Sequence, residues 1–139
     1  MAFSKIISSL PKAERLSDFA NFKSLSRDRN GEVFPIMMPD NVHLVGDEAE
    51  TTILTAGASE DNEAAVMVIP ECENVRVANM TLKDGYSENH GCAGGGAILV
   101  TSNDRYDLSW DMYPNNAILE NLIIEDSYAK NGGGLSLFR

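Results

Sequence analysis

The chain has 139 residues, enough for one domain with a sizeable core and no more. Its 43% hydrophobic and 23% charged residues are ordinary for a globular protein and exclude wholesale disorder. A formal charge of −10 leaves no basic face to neutralise phosphates, which excludes nucleic acid as a partner and fits a soluble acidic surface, a cation-binding protein or a secreted one.

The first stretch, "MAFSKIISSLPKAERL", has a short apolar run interrupted by Ser8, Ser9 and Pro11, and falls short of a signal-peptide core. No run approaches 18 apolar residues, so no membrane span is expected. Residues 1–30 place Ile6, Ile7, Leu10, Leu16, Phe19, Phe22 and Leu25 at near-helical spacing with Pro11 as a break, which predicts one or two short amphipathic helices forming a cap-like segment.

From Gly31 the language changes to short apolar runs bounded by Asn, Gly, Pro and Asp, the pattern of strands and turns. The runs "FPIMMPDNVHLVG" (34–46), "AVMVIPECENVRVAN" (65–79) and "GAILVTS" (96–102) with "NNAILEN" (115–121) line up as strand, turn, Asn, strand. A further short strand follows in each copy: "TTIL" (51–54), "MTLKD" (80–84) and "LIIED" (122–126); "GLSLFR" begins a fourth. Equivalent positions recur 31 residues apart from Met38 to Ile69, 31 from Ile69 to Val100 and 38 from Val100 to Phe138. Three short strands per copy at such a period, with no helix between, predict a solenoid whose coils stack about 4.8 Å apart with all strands parallel.

Stacking puts Val42 and Leu44, Val75 and Val77, and Ala117 and Leu119 in inward columns. Asn41, Asn74 and Asn116 precede that strand at one corner, and Asn79 and Asn121 follow it, so they read as structural amide ladders. The glycines at 94–96 and 132–134 mark tight corners. Cys72 and Cys92 read as two small thiols in preference to a bridge.

"NGEVFPIMMPDNVHLVGDEAETTIL" resembles the opening of a domain-of-unknown-function family at the start of bacterial and archaeal right-handed β-helix proteins of the pectate-lyase-like superfamily. "NMTLKDGYSENHGCAGGGAILV" and "NLIIEDSYAKNGGGLSLF" resemble the Gly-Gly-Gly-aliphatic repeats of the same superfamily. The resemblance covers residues 31–139 and implies an all-β, right-handed single-stranded parallel β-helix of about three to four coils. It implies a secreted or cell-surface setting, and it leaves function open, because this scaffold hosts lyases, hydrolases, adhesins and spacers. The segment "FANFKSLSRDRNGE" departs from the Gly-Thr-Tyr-like turn usual before "GE-FPI". A last coil with an uncovered edge leads to the expectation of a fragment of a longer surface protein or a truncated reading frame, with further coils or self-association at that edge.

Polygalacturonase motifs are missing from the sequence: no Asn-Thr-Asp or Arg-Ile-Lys occurs, and "NHGC" puts His90 beside one glycine only. His90 and the outward-facing His43 read as exposed histidines. Asp84 in "LKD" and Asp126 in "IED" occupy equivalent positions; two close carboxylates share a proton or bind a cation such as Ca²⁺, and the rival reading is a charged corner relaxed into solvent. Lys83 and Arg76 are the nearby bases.

The insertion "NDRYDLSWDMYPN" (103–115) gathers Tyr106, Trp110 and Tyr113 among carboxylates that include Asp107 and Asp111. Aromatic faces beside carboxylates suit sugar rings; the rival reading is an aromatic flap over the coil. The leading functional expectation is a non-catalytic secreted or cell-surface module that meets polysaccharide. The alternative is part of a carbohydrate-active enzyme, a polysaccharide lyase or glycoside hydrolase, whose catalytic coils lie partly outside the chain.

Overall fold

A computed structural model describes residues 26–27, 32–88, 95–101 and 115–138. The helical expectation for residues 1–30 falls outside them except at Ser26–Arg27, which form a strand. The described residues are all β, with several parallel sheets stacked like the coils of a solenoid and no helix among them.

The strands in chain order are β1 (Ser26–Arg27), β2 (Val33–Phe34), β3 (Ile36–Met37), β4 (His43–Val45), β5 (Ile53–Thr55) and β6 (Met67–Pro70). They continue as β7 (Val75–Lys83), β8 (Tyr86–Ser87), β9 (Ile98–Thr101), β10 (Ala117–Glu125), β11 (Tyr128–Ala129) and β12 (Leu135–Phe138). One four-stranded sheet has the order β12-β9-β6-β3, and a second has β10-β7-β4 with β5 also on β7. The third stack is β11 on β8, and every one of these pairings is parallel. Only β1 with β2 is antiparallel among the named strands.

The expected inward columns form. His43 pairs with Arg76 and Arg76 with Ile118, which stacks Val42, Val75 and Ala117 in one column and Leu44, Val77 and Leu119 in the next. Val75, Val77 and Leu44 lie in the buried core, and Val42, Ala117 and Leu119 pack against it. The core continues through Met80 and Leu82 and across to Met67, Ile69, Ile98 and Val100. This burial of aliphatic area is the main stabilising term.

One register differs from the sequence expectation. Val100 faces Leu137, so the last interval is 37 residues and not 38. Gly95 and Gly132 take the same left-handed corner, with φ of 84° and 64°, and Gly134 stands where Ala97 stands one coil earlier. A shift of one residue exchanges the two faces of a strand. The observed register carries Leu135 and Leu137 onto the inward columns of Ile98 and Val100, and leaves Ser136 beside Leu99; matching the glycine triplets would have sent Ser136 inward.

The corners explain why β4 and β5 are separate strands while β7 and β10 are continuous. In the later coils a single asparagine turns the corner, Asn79 at φ 54° and Asn121 at φ 48°, a conformation Asn tolerates better than other non-glycine residues. In the first coil the loop 46–52 occupies that place, closed by Thr81 Oγ1 donating to the Ala49 carbonyl at 2.7 Å. Gly46 sits against the next coil so closely that a Cβ there would lie 2.2 Å from the Asn79 carbonyl oxygen.

Burial along the stack sets the expected response to truncation. Leu82→Ala, in a fully buried column, should lose about 2–5 kcal/mol of unfolding free energy. Leu137→Ala, at 71% exposure on the last coil, should stay within about 0.5 kcal/mol of the parent in the same chemical denaturation series.

Candidate functional site

The corner after β7 and β10 brings together the charged residues singled out in the sequence. Lys83 pairs with Glu125 in register, so Asp84 and Asp126 stand at equivalent places one coil apart. Both adopt left-handed backbone, φ 55° and 46°, as a short polar side chain permits.

Each carboxylate has a partner. The Thr55 hydroxyl of the first coil donates to Asp84 Oδ2 at 2.9 Å, and Lys83 Nζ lies 3.0 Å from Asp126 Oδ2. Lys83 therefore sets a positive charge directly against Asp126, and Asp84 also acts on it electrostatically. Its pKa is raised above the ordinary lysine value, first by the hydrogen bond and charge of Asp126, then by the charge of Asp84. Among the described residues no group of three or more His, Cys, Asp and Glu is placed to hold a metal ion.

The outward face of the middle sheet is organised in the same way. Arg76 donates through Nε at 3.0 Å and through a guanidinium nitrogen to Glu120 Oε1 on the next coil. Asn74 Nδ2 donates to Asn41 Oδ1 at 3.2 Å, and Asn121 Nδ2 to Asn79 Oδ1 at 2.9 Å. The ladders expected at Asn41, Asn74, Asn79 and Asn121 are thus in place.

Asn116 differs from that expectation. It lacks the left-handed backbone of Asn41 and Asn74, and its N–H donates to the Cys72 carbonyl at 3.1 Å. The neighbouring Asn115 instead ties coils together, its amide donating to the Ile69 and Thr101 carbonyls at 3.1 and 3.2 Å. His43 is exposed and within 3.3 Å of Asn74 Oδ1, so a proton on Nε2 would donate to it. Cys72 is fully buried, its Sγ donating to the Met38 carbonyl.

A feature the sequence reading passed over lies one strand further on. Tyr86 and Tyr128 pair across β8 and β11, with ring centroids 4.9 Å apart and planes at 26°. The Tyr86 hydroxyl donates to Glu88 Oε2 at 2.7 Å, and Glu63 Oε2 accepts the Glu88 N–H. The signal was present in "DGYSEN" and "DSYAKN", where an Asp is followed two residues later by Tyr. Tyr106, Asp107, Trp110, Asp111 and Tyr113 lie outside the described residues, as do His90 and Cys92.

Comparison with protein-family models, with curated proteins and with solved structures found no match to this chain.

The Tyr86–Glu88 bond has a measurable signature. The hydrogen bond to Glu88, followed by desolvation, pushes the Tyr86 phenol up from 10.0 to about 12. A pKa raised on folding contributes stability that is complete below the unfolded value near 10 and is lost as pH climbs through about 12. In a phenolate absorbance titration, one of the four tyrosines should ionise late, and Glu88→Gln should return it toward 10.

Proposed function

We propose that the chain is a right-handed single-stranded parallel β-helix of the pectate-lyase-like kind, about three to four coils long. It works as a non-catalytic recognition or display module of a secreted or cell-surface protein, with polysaccharide as its ligand. What supports this reading is the use made of the outward polar side chains. Equivalent or near-equivalent residues of successive coils bond one another, as in Asn74 to Asn41, Asn121 to Asn79, Arg76 to Glu120 and Lys83 to Asp126. Polar groups satisfied coil to coil make a stiff scaffold, and a scaffold displays its loops.

A lyase or hydrolase asks for something different. It needs convergent carboxylates and a base whose pKa approaches the working pH. Lys83 moves the other way, because Asp126 and Asp84 hold its proton more firmly. The ligand contact is assigned to the insertion 103–115, where Tyr106, Trp110 and Tyr113 offer flat faces to sugar C–H groups and Asp107 and Asp111 accept from hydroxyls.

Trp110 is the only tryptophan, so its fluorescence reports on that insertion alone. Titration with neutral and acidic polysaccharides should give a saturable shift with at least one of them, weakened several-fold by Tyr113→Ala. A flat trace across the panel, with and without calcium, would overturn polysaccharide recognition.

A further inference from the structure

Two tyrosines on successive coils are held face to face by the backbone that carries them. Tyr86 and Tyr128 are Cα partners in the parallel pair of β8 and β11, so their side chains leave the strands on the same side. The ring centroids are 4.9 Å apart and the planes meet at 26°. Hydrogen bonds pin this register on both sides of the pair. The Tyr86 N–H donates to the Ala64 carbonyl at 2.9 Å, the Tyr128 N–H to the Gly85 carbonyl at 2.8 Å, and the Lys130 N–H to the Ser87 carbonyl at 3.2 Å. The Gly85 N–H donates in turn to Ser127 Oγ at 3.2 Å. Both rings and all these ties belong to described residues, so the pair does not depend on what lies over the last coil.

Phenylalanine would stack as well; the hydroxyl and its partner add chemistry. The Tyr86 hydroxyl donates to Glu88 Oε2 at 2.7 Å, and the Glu88 N–H donates to Glu63 Oε2 at 3.0 Å, which holds the Glu88 backbone in place. A phenol that loses an electron becomes a strong acid, so it is oxidised far more readily when a base can take its proton in the same step. A carboxylate at hydrogen-bond distance is such a base. Two rings fixed in contact also react as one molecule, at a high effective concentration. Proximity and a proton acceptor are the two conditions that oxidative coupling of tyrosines requires, and both are met here.

We infer that Tyr86 and Tyr128 form an oxidative cross-linking site, at which a haem peroxidase fed with hydrogen peroxide joins the two rings and staples one coil to the next. Each phenol gives up one electron and one proton, the Tyr86 proton passing to Glu88 and the Tyr128 proton to water. The two phenoxyl radicals couple through the carbons ortho to their oxygens, forming one carbon–carbon bond. The ortho hydrogens then shift as protons to the oxygens and restore both phenols. Two hydrogen atoms have left the protein, and one hydrogen peroxide has been reduced to two waters. Like a disulfide, the new bond closes a loop of chain and removes entropy from the unfolded state. This inference does not depend on the polysaccharide reading, and its assay contains no glycan.

The test treats the full chain, at micromolar concentration, with a haem peroxidase and limiting hydrogen peroxide. Dityrosine fluorescence should appear in a species that stays monomeric on a denaturing gel and is lighter by two hydrogen atoms. Fragmentation of its proteolytic peptides should place the bridge between Tyr86 and Tyr128. Tyr86→Phe and Tyr128→Phe, which keep a ring in the stack, should each lower the yield at least tenfold. Tyr106→Phe combined with Tyr113→Phe should leave it within twofold. Glu88→Gln should slow coupling several-fold near neutral pH with an unchanged circular dichroism spectrum, and the bridged protein should melt several degrees above the unbridged one. A bridge mapped to Tyr106 or Tyr113, covalent dimers as the main product, or an undiminished yield from Tyr86→Phe would each overturn the assignment. An unchanged rate in Glu88→Gln would overturn the part given to Glu88.

Discussion

The register of parallel strands, like residue over like residue, is the constraint on which the rest of the structure depends. Parallel pairing across the four strands β3, β6, β9 and β12 repeats the same inward positions at each coil, so an aliphatic residue is covered only if its equivalents are aliphatic too. A slip of one residue would expose every one of them. That is why the last interval settles at 37 residues despite the lure of matching glycine triplets: hydrophobic columns outrank a repeated turn sequence.

The same register dictates the polar chemistry. Whatever stands at an outward position meets its equivalent, or a residue close by, on the next coil. Asparagines pass amide hydrogen bonds, Arg76 meets Glu120, and Lys83 meets Asp126. Exposed ion pairs of this kind add little stability individually, so their effect is to fix register and direction more than to hold the fold together. Every buried side-chain nitrogen or oxygen among the described residues has a partner, which keeps the middle of the stack free of desolvation penalties. Stacking also accounts for the Tyr86–Tyr128 pair: rings on adjacent strands come to lie about one strand spacing apart.

Stacking has a direction as well. In the asparagine ladder the amide of the later coil donates to the asparagine of the coil before, Asn74 to Asn41 and Asn121 to Asn79.

The division between sequence and tertiary structure runs along these lines. The apolar strands β3 to β7, β9, β10 and β12, the inward pairs such as Val75 and Val77, and the amide ladders at Asn41, Asn74, Asn79 and Asn121 were legible in the sequence, because alternation and the 31-residue recurrence are local patterns that only stacking can satisfy; the two-residue strands β8 and β11 were not, being too short to show a pattern. The equivalence of Asp84 and Asp126 was legible too, as a position. Their partners were not: Thr55 and Lys83 come from the coils before, at separations that differ because the loops differ in length, and no spacing rule yields them. Nor did the sequence distinguish Asn115 from Asn116 as the residue that ties coils, since that choice depends on which amide reaches the Ile69 and Thr101 carbonyls. Pattern determined which residues face inward; three-dimensional closure decided which polar groups meet, because hydrogen bonds depend on ångström-scale distance where burial depends only on side.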